Sequence, residues 1–172
     1  MKIGVLGAGQ LGRMMAISGY PLNHQFGFSG NSSDEPSALL GHMFALEDNA
    51  DNIKYLVDFA DVITYESENT NVEVVREISK NVPVYPGEKS LFTTQHRGRE
   101  KALFDKLNIP CAPYKMVNTL NDLRQAVSQI GLPAILKTAT EGYDGKGQFL
   151  MRSEDQLQEA FDSMNGVESI PE

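Results

Sequence analysis

The chain has 172 residues, with 23 acidic and 15 basic side chains and a formal net charge of −8. A net negative charge opposes attraction to nucleic-acid phosphates and anionic membranes, so neither is expected as a partner. The single cysteine, Cys111, cannot form an internal disulfide, and no Cys or His pair has metal-ligand spacing. No apolar run approaches the length of a membrane span or a signal-peptide core, so a cytoplasmic protein is expected.

Short apolar runs alternate with helical patterns in the first half of the chain, which predicts βαβ units around a parallel sheet. The first helix is expected from Gln10 to Ser18, with Gly19 as a left-handed cap. Two more helices are expected, one over residues 51–60 and one from Thr70, where Thr70-x-x-Glu73 has the pattern of a capping box. The expected strands are residues 2–6, 25–28, 42–46, 62–65 and 82–85.

The strand–helix rhythm breaks at "YPGEKS", residues 85–90, so we expect one domain over residues 1–87 and a second over residues 88–172. The second begins with a basic helix, "HRGREKALFDKLN", and continues through an extended "IPCAPYKMV" to a helix over residues 119–130. "LPAILKTATEGYDGKGQFLMR" predicts two strands joined by a glycine-rich loop, and Ser153-x-x-Gln156 predicts a cap for a further helix. The final "NGVESIPE" carries no strong closing element, so this second domain is expected to be incomplete.

A glycine cluster, "GAGQLG", follows the first expected strand and opens the first helix. Gly7, Gly9 and Gly12 fit G-x-G-x-x-G, a pattern that allows a tight turn and brings free backbone amides to an anion. Three interpretations stay open: a phosphate or substrate role, a dinucleotide site, or glycines that only let the helix pack on the strand. A dinucleotide site needs an acidic residue at the end of the second strand, whereas that strand ends in "FSG" and the nearest carboxylates, Asp34 and Glu35, lie in the following loop.

A pair of carboxylates lies in "TYESEN", at the carboxyl end of another expected strand. Ligands bind outside such strand ends in open α/β sheets, so Glu66 and Glu68 are placed to meet a ligand bound at the glycine cluster. The alternative is that both are solvated loop carboxylates that precede a helix.

A second glycine-rich stretch, "GYDGKGQ" at residues 142–148, follows a strand that ends near Lys137. A lysine beside exposed backbone amides suits nucleotide phosphates, and such a loop is able to close over a reactive intermediate and exclude water. Asp144-Gly145 is also a common hairpin turn. A two-residue turn would not need Gly142 and Gly147 as well, which favours a functional loop.

Two basic side chains, Arg97 and Lys101, lie four residues apart on one side of the basic helix. Positive charge at the start of a helix opposes the helix dipole unless an anion is nearby. A solvated charged face is the alternative. His24, His42 and His96 have no partner spacing and are interpreted as structural or surface residues.

Five motifs taken together carry a family resemblance. "GAGQLGRM", "TYESEN", "REKALFDKLNIP", "LPAILKT" and "GYDGKGQ" resemble, in this order, the start of 5-(carboxyamino)imidazole ribonucleotide synthases, which are ATP-grasp enzymes of purine biosynthesis. The resemblance runs along essentially all of the chain and implies an α/β fold. A Rossmann-like pre-ATP-grasp domain with a parallel sheet would be followed by the small lid-bearing subdomain of an ATP-grasp fold. Because the family continues well past Glu172, the chain is expected to be an N-terminal portion that is inactive alone.

The resemblance implies a ligase reaction. ATP would phosphorylate bicarbonate to carboxyphosphate, which then carboxylates aminoimidazole ribonucleotide, with Mg²⁺ held by carboxylates beyond the present chain and with a homodimer as the full-length form. Another ATP-grasp ligase, of the formate-dependent glycinamide ribonucleotide transformylase or biotin carboxylase type, is one competitor. Gln10 in place of an acidic residue argues against it. An NAD-binding oxidoreductase is the competitor from a different class.

The resemblance also implies roles for individual residues. The ribonucleotide would be held by Gln10, Leu11, Glu66 and Glu68. The catalytic residues facing bicarbonate and the imidazole would be Tyr143, Asp144 and Lys146. ATP would be contacted by Arg97, Lys137 and the phosphate-covering lid, which consists of Gly142, Tyr143, Asp144, Gly145, Lys146, Gly147 and Gln148.

Overall fold

The computed structural model of the chain describes residues 1–45, 53–142 and 147–172. They form two compact units, which we call unit 1 (Met1–Phe92) and unit 2 (Thr93–Glu172). Each unit has its own sheet and its own buried apolar cluster. Within the described ranges, no helix is long and apolar enough to cross a membrane.

Unit 1 is a parallel sheet with helices between its strands. Among the described strands the order is β3-β2-β1-β4, and every pairing is parallel, which confirms the predicted α/β class. Its elements are β1 (Lys2–Leu6), α1 (Gln10–Gly19), β2 (Gln25–Gly30), β3 (His42–Ala45), α2 (Lys54–Phe59), β4 (Val62–Tyr65), α3 (Val72–Ile78) and α4 (Glu88–Thr94), the last of which ends just past the unit.

Apolar residues cover both faces of this sheet. Successive side chains of a strand point to opposite faces, and the neighbours Val5 and Leu6 accordingly join different apolar clusters. Val5 packs with Phe28 and α1, whereas Leu6 packs with Ile63 and α2. A parallel sheet buried on both faces requires short, continuously apolar strands, which is the pattern of "KIGVL" and "VITY".

The end of α1 differs from the prediction. Gly19 is not a left-handed cap, because its φ is −85° and the chain continues into a 3₁₀ turn over Tyr20–Leu22. Pro21 fits the start of that turn because the first residues of a helix need no N–H partner. The left-handed residue is Asn23, with a φ of 61°.

The fifth expected strand and the cap of α3 also differ from the prediction. Residues 82–85 form only an isolated bridge beside β4, in which Tyr85 N–H donates to the Ile63 carbonyl at 2.9 Å. Pro83 offers no N–H, so the ladder does not extend there. The cap of α3 is Asn71, not Thr70, because its side chain accepts from Glu73 N–H at 2.9 Å. Leu46 and residues 51–52, which end one expected strand and begin one expected helix, lie outside the described residues.

Unit 2 packs helices on a small antiparallel sheet. Within the described residues the strand order is β6-β5-β7. The final segment was not expected to close the fold, yet it supplies β7, and Ile170 is fully buried. The elements are α5 (Arg97–Leu107), α6 (Leu120–Ile130), β5 (Ala134–Thr138), β6 (Gln148–Met151), α7 (Leu157–Ser163) and β7 (Ser169–Pro171).

The start of α6 is a complete capping box. Thr119 Oγ1 accepts from Asp122 N–H at 3.1 Å, and Asp122 Oδ2 accepts from Thr119 N–H at 2.8 Å. Replacing Thr119 by alanine is expected to lower the free energy of unfolding by about 1 kcal/mol, since the Asp122 N–H loses the hydroxyl that caps it. Urea denaturation followed by circular dichroism measures the change.

Ser128→Ala is the matched control for this cap. Ser128 is an exposed hydroxyl near the other end of α6, where its Oγ donates to the Gln125 carbonyl at 2.8 Å. Its replacement should change the free energy of unfolding by less than about 0.5 kcal/mol. A loss for Thr119→Ala no larger than that of the control would mean that the box contributes nothing.

Candidate active site

The cleft of unit 1 lies at the carboxyl ends of its parallel strands. β1 has β2 on one side and β4 on the other, and crevices where the strand order reverses in this way bind ligands in open α/β sheets. A cleft of about 350 Å³ opens at this point. The polar residues in its lining include Ser29, Glu66, Ser67, Asn69, Thr70 and Asn71.

Glu66 is hydrogen-bonded to the glycine loop, by which we mean residues 7–12. Its Oε1 accepts from Gly9 N–H at 2.9 Å, and its Oε2 accepts from Gly12 N–H at 2.7 Å and from Gly9 N–H at 3.1 Å. Gly9 is the N-cap of α1 and supplies no side-chain cap. Two of the backbone amides that a phosphate could use at this helix start, those of Gly9 and Gly12, are therefore bound to a carboxylate of the chain itself.

The three glycines of the loop lie against this carboxylate. A Cβ added to Gly7, Gly9 or Gly12 would come within 2.6, 2.5 and 2.9 Å of Glu66 atoms, respectively. Gly7 also has a φ of 114°, which favours glycine by itself, and its N–H donates to Ser29 Oγ at 3.0 Å. The glycines that sequence analysis associated with a bound anion thus leave space for the side chain of Glu66.

The second strand ends next to a carboxylate from the loop that follows it. Glu35 lies in the following loop, as expected, but its Oε1 would be 2.7 Å from a Cβ added to Gly30. The same oxygen accepts from Asn31 N–H at 2.7 Å and from Ser32 N–H at 3.2 Å. The carboxylate of Glu35 therefore stabilises the backbone of the loop that follows β2.

The remaining residues predicted to hold the ribonucleotide lie around this edge of the sheet. Gln10 and Leu11 are the exposed first residues of α1, and Glu68 is exposed in the loop after β4. Leu11 lines a shallow hollow together with Tyr65 and Glu66. Glu66 is thus the residue shared by the hollow and the cleft. The roles of Gln10, Leu11 and Glu68 in ligand binding stay predictions.

In unit 2, Arg97 binds the backbone that leads into the glycine-rich hairpin. Its Nη1 donates to the carbonyls of Thr138 at 2.6 Å and Glu141 at 2.8 Å, and its Nη2 donates to the carbonyl of Gly142 at 3.0 Å. The backbone N–H of Arg97 donates to the Ala139 carbonyl at 2.8 Å. Arg97 is half-buried, so the alternative of a solvated charged face does not describe it.

Lys137, Lys101 and Glu172 form a three-residue charge cluster. The two ammonium groups bind different oxygens of the Glu172 carboxylate, Lys137 at Oε1 and Lys101 at Oε2. The exposed fractions of the three side chains are 25%, 13% and 18%. Sequence analysis found Lys137 and Lys101 but missed Glu172, because 35 residues separate it from the nearer lysine and no local pattern marks it.

The cluster gives Glu172 a pH dependence with a defined sign. Burial alone would raise the pKa of Glu172, but the hydrogen bonds and charges of Lys101 and Lys137 outweigh it, so this pKa lies below its ordinary value. Stability from the ionised Glu172 is therefore present at neutral pH and is lost as the pH falls through that lowered pKa.

A Lys101→Met substitution tests this assignment. It should move the pKa of Glu172 upward, because one of the two cations that lower it is removed. The measurement is a carbon-13 NMR titration of the side-chain carboxyl. Lys106→Met, on the same helix and exposed, should leave that pKa unchanged. An unchanged value in Lys101→Met would mean that Lys101 does not stabilise the charged form.

The glycine-rich hairpin is described only at its two ends. Tyr143, Asp144, Gly145 and Lys146, which include all three residues predicted to be catalytic, lie outside the described residues. Gly142 and Gly147 have φ values of 76° and 66°, and Gln148 begins β6 opposite Lys137. The positive φ values favour glycine at both ends, whatever role the hairpin has.

His96 begins α5 and has a structural role, as predicted. Its Nδ1 accepts from Gly98 N–H at 3.1 Å and from Arg99 N–H at 3.4 Å, and its Nε2 lies 2.9 Å from Glu168 Oε2. Among the described residues, no three His, Cys, Asp or Glu side chains lie close enough to form a metal site.

Comparison with known proteins identifies the family. A family model described as the ribonucleotide synthetase preATP-grasp domain matches residues 1–95, more than half of the chain. The chain belongs to this family. A second family model, described as the ATP-grasp domain, matches residues 102–170.

Individual relatives agree with the resemblance found in the sequence. An N5-carboxyaminoimidazole ribonucleotide synthase of Pseudomonas aeruginosa is 43% identical over 100% of this chain and 48% of its own length. N5-carboxyaminoimidazole synthetase from Staphylococcus aureus, solved with ADP, has a TM-score of 0.91 at 31% identity, over 99% of this chain and 46% of that one. The Aspergillus clavatus synthase, solved with ADP and 5-aminoimidazole ribonucleotide, has a TM-score of 0.86 at 27% identity, over 99% and 45%. The chain thus spans about half the length of the relatives that it matches.

Proposed function

We propose that a protein containing this chain carboxylates aminoimidazole ribonucleotide with bicarbonate and ATP, giving 5-(carboxyamino)imidazole ribonucleotide for purine biosynthesis. The observation that carries the proposal is the likeness of the whole chain, at 43% identity, to a relative named for this activity. The solved relatives include complexes with ADP and with the ribonucleotide, which supports the same substrates.

Unit 1 would hold the ribonucleotide at the edge of its sheet. Gln10 and Leu11 on α1 and Glu68 after β4 would contact it, near the cleft at the point where the strand order reverses. Glu66 would act on the same site through the glycine loop, since its two oxygens are bound to Gly9 and Gly12.

Unit 2 would hold ATP. Lys137 would supply a positive charge to the phosphates, and Arg97 would do so through its remaining donors while it holds the carbonyls at the start of the hairpin. The lid over residues 142–148 would cover the phosphates and exclude water, which carboxyphosphate requires because water destroys it quickly. Tyr143, Asp144 and Lys146 would face bicarbonate and the imidazole amine.

Three further features of the proposal concern the whole protein. Magnesium would neutralise charge on the transferring phosphoryl group, and its ligands are expected outside the described residues. A homodimer in the cytoplasm is the expected state of the protein. Sedimentation analysis of the protein from its complete open reading frame would measure the oligomeric state.

A substrate panel tests the proposed reaction. The protein from its complete open reading frame should release ADP from ATP only when aminoimidazole ribonucleotide and bicarbonate are both present. Stimulation by formate with glycinamide ribonucleotide, or by biotin with bicarbonate, would instead assign it to one of the competing ATP-grasp ligases. Tight NAD binding without any response to ATP would exclude all of the ligase assignments.

A further inference from the structure

The anion site of the glycine loop already has an occupant. A helix N-terminus with free amides attracts negative charge, and α1 has no acidic residue in its first turn. The carboxylate of Glu66, 54 to 57 residues away in sequence, lies at that position and binds Gly9 and Gly12 at 2.7–3.1 Å. Glu66 therefore does for α1 what an N-cap side chain does for other helices.

The glycine at position 9 is required by this carboxylate. Its φ of −80° is one that any residue adopts, so backbone geometry alone does not demand glycine. The three atoms nearest to a Cβ added at Gly9 are Glu66 Oε1 at 2.5 Å, Cδ at 3.4 Å and Oε2 at 3.6 Å. A side chain at this position would therefore push the carboxylate of Glu66 aside and break its hydrogen bonds to the loop.

The described lining of the cleft around Glu66 is neutral apart from Glu66 itself. Among the described residues, those that line the cleft include no lysine, arginine or histidine. Its polar lining consists of one carboxylate together with hydroxyl and amide side chains such as Ser29, Ser67 and Asn69. A phosphate there would meet the negative charge of Glu66 without a cation from the described lining, whereas neutral hydroxyl groups would find acceptors and donors.

We propose that Glu66 is a positioning residue that permanently fills the anion site of the glycine loop and so excludes ligand phosphate from it. It holds the first turn of α1, where Gln10 and Leu11 begin the helix, against the end of β4. The orientation of the ligand follows from this and rests on the proposed function. The ribonucleotide would present its ribose hydroxyls or its imidazole to this cleft and its phosphate to another part of the protein.

NMR of the nitrogen-15-labelled chain, with inorganic phosphate as the probe, tests the exclusion. In the wild type, the amide signals of Gly9 and Gly12 should not move as phosphate is added at constant ionic strength. In Glu66→Ala the vacated amides should gain a saturable response to phosphate, a signature that a merely structural residue would not give. Glu77→Ala, which removes an exposed carboxylate paired with Lys80 on α3, is the matched control and should behave as the wild type does.

Two outcomes of the phosphate titration would overturn the proposal. One is a saturable response of Gly9 and Gly12 in the wild type, since this would mean that Glu66 does not fill the site. The other is a folded Glu66→Ala chain whose loop amides ignore phosphate, since this would mean that the loop is not an anion site.

A double-mutant cycle supplies a second test, which requires only a measurable unfolding transition in the Glu66→Ala background and no signal assignment. Gly9→Ala should raise the unfolding equilibrium constant of the wild type about tenfold more than that of Glu66→Ala, because the three atoms nearest to the added methyl group all belong to the Glu66 carboxylate. Equal costs in both backgrounds would contradict the requirement for glycine by Glu66.

The two proposals fail separately. Neither the phosphate titration nor the cycle needs turnover, so they measure the role of Glu66 even if the substrate panel rejects the proposed reaction. In that case Glu66 would still be the group that binds the loop amides, and only the inferred orientation of the ribonucleotide would be given up. A response of the wild-type loop to phosphate would overturn the role of Glu66 and leave the substrate panel unaffected.

Discussion

Replacing Arg97 by methionine is expected to lower the free energy of unfolding of unit 2 by about 3 kcal/mol. The substitution removes three guanidinium hydrogen bonds, to the carbonyls of Thr138, Glu141 and Gly142. Hydrogen bonds to a charged group contribute roughly 1.5–3 kcal/mol each. These three share one half-buried guanidinium, so their combined contribution is smaller than the sum of three separate bonds. Urea denaturation of the chain measures the loss.

Two further variants separate the geometry of Arg97 from its charge. Arg97→Lys keeps the charge but not the planar fork of donors, so it should recover less than half of the loss. Lys106→Met removes an exposed charge from the last turn of the same helix and should cost less than about 1 kcal/mol. If Arg97→Lys were as stable as the wild type, charge alone would explain the role of Arg97.

Arg97 also changes the interpretation of the ATP site. Sequence analysis assigned its guanidinium to ATP by resemblance, whereas in the structure three of its five N–H groups point at the hairpin backbone. If unit 2 holds ATP as proposed, a loss of ATP affinity in an Arg97 variant would therefore combine a lost contact with a displaced backbone at the start of the hairpin. Hydrogen exchange at Thr138 and Ala139 distinguishes these effects, because displacement of that backbone increases it.

Local patterns predicted the elements of the fold well where apolar runs were bounded by clear signals. β1 and β4 begin and end at the predicted residues, since each is a short apolar run. The start of the helix at Thr119 was predicted, but the capping box formed there by Thr119 and Asp122 was not. The prediction failed at Gly19 and at residues 82–85, where a neighbouring proline decided the local backbone.

Long-range contacts explain most of what the sequence did not predict. β7 is only three residues long and contains Pro171, so nothing local marks it, and it becomes a strand because β5 offers an edge. The roles of two carboxylates were missed for the same reason. Glu66 was assigned to a ligand, although its partners in the chain lie 54 or more residues away. Glu172 was given no role, because its partner Lys137 lies 35 residues away.

Replacing Lys137 by methionine is expected to weaken ATP binding about 10- to 100-fold, if unit 2 holds ATP as proposed. The phosphates would lose a charge-assisted donor, and a loss of 1.5–3 kcal/mol corresponds to a change of about this size. Calorimetric titration of ATP into the protein from its complete open reading frame measures the effect.

Lys101→Met is the matched control for Lys137, because both lysines bind the same carboxylate. Each substitution removes one cation from Glu172 and leaves it the other, so the two variants should lose similar stability. They should differ in ATP binding, because Lys137 lies on β5 opposite Gln148, where the glycine-rich hairpin returns to the sheet, whereas Lys101 lies within α5. If both variants lost ATP affinity equally, the common factor would be the carboxylate of Glu172, and the direct role of Lys137 would have to be given up.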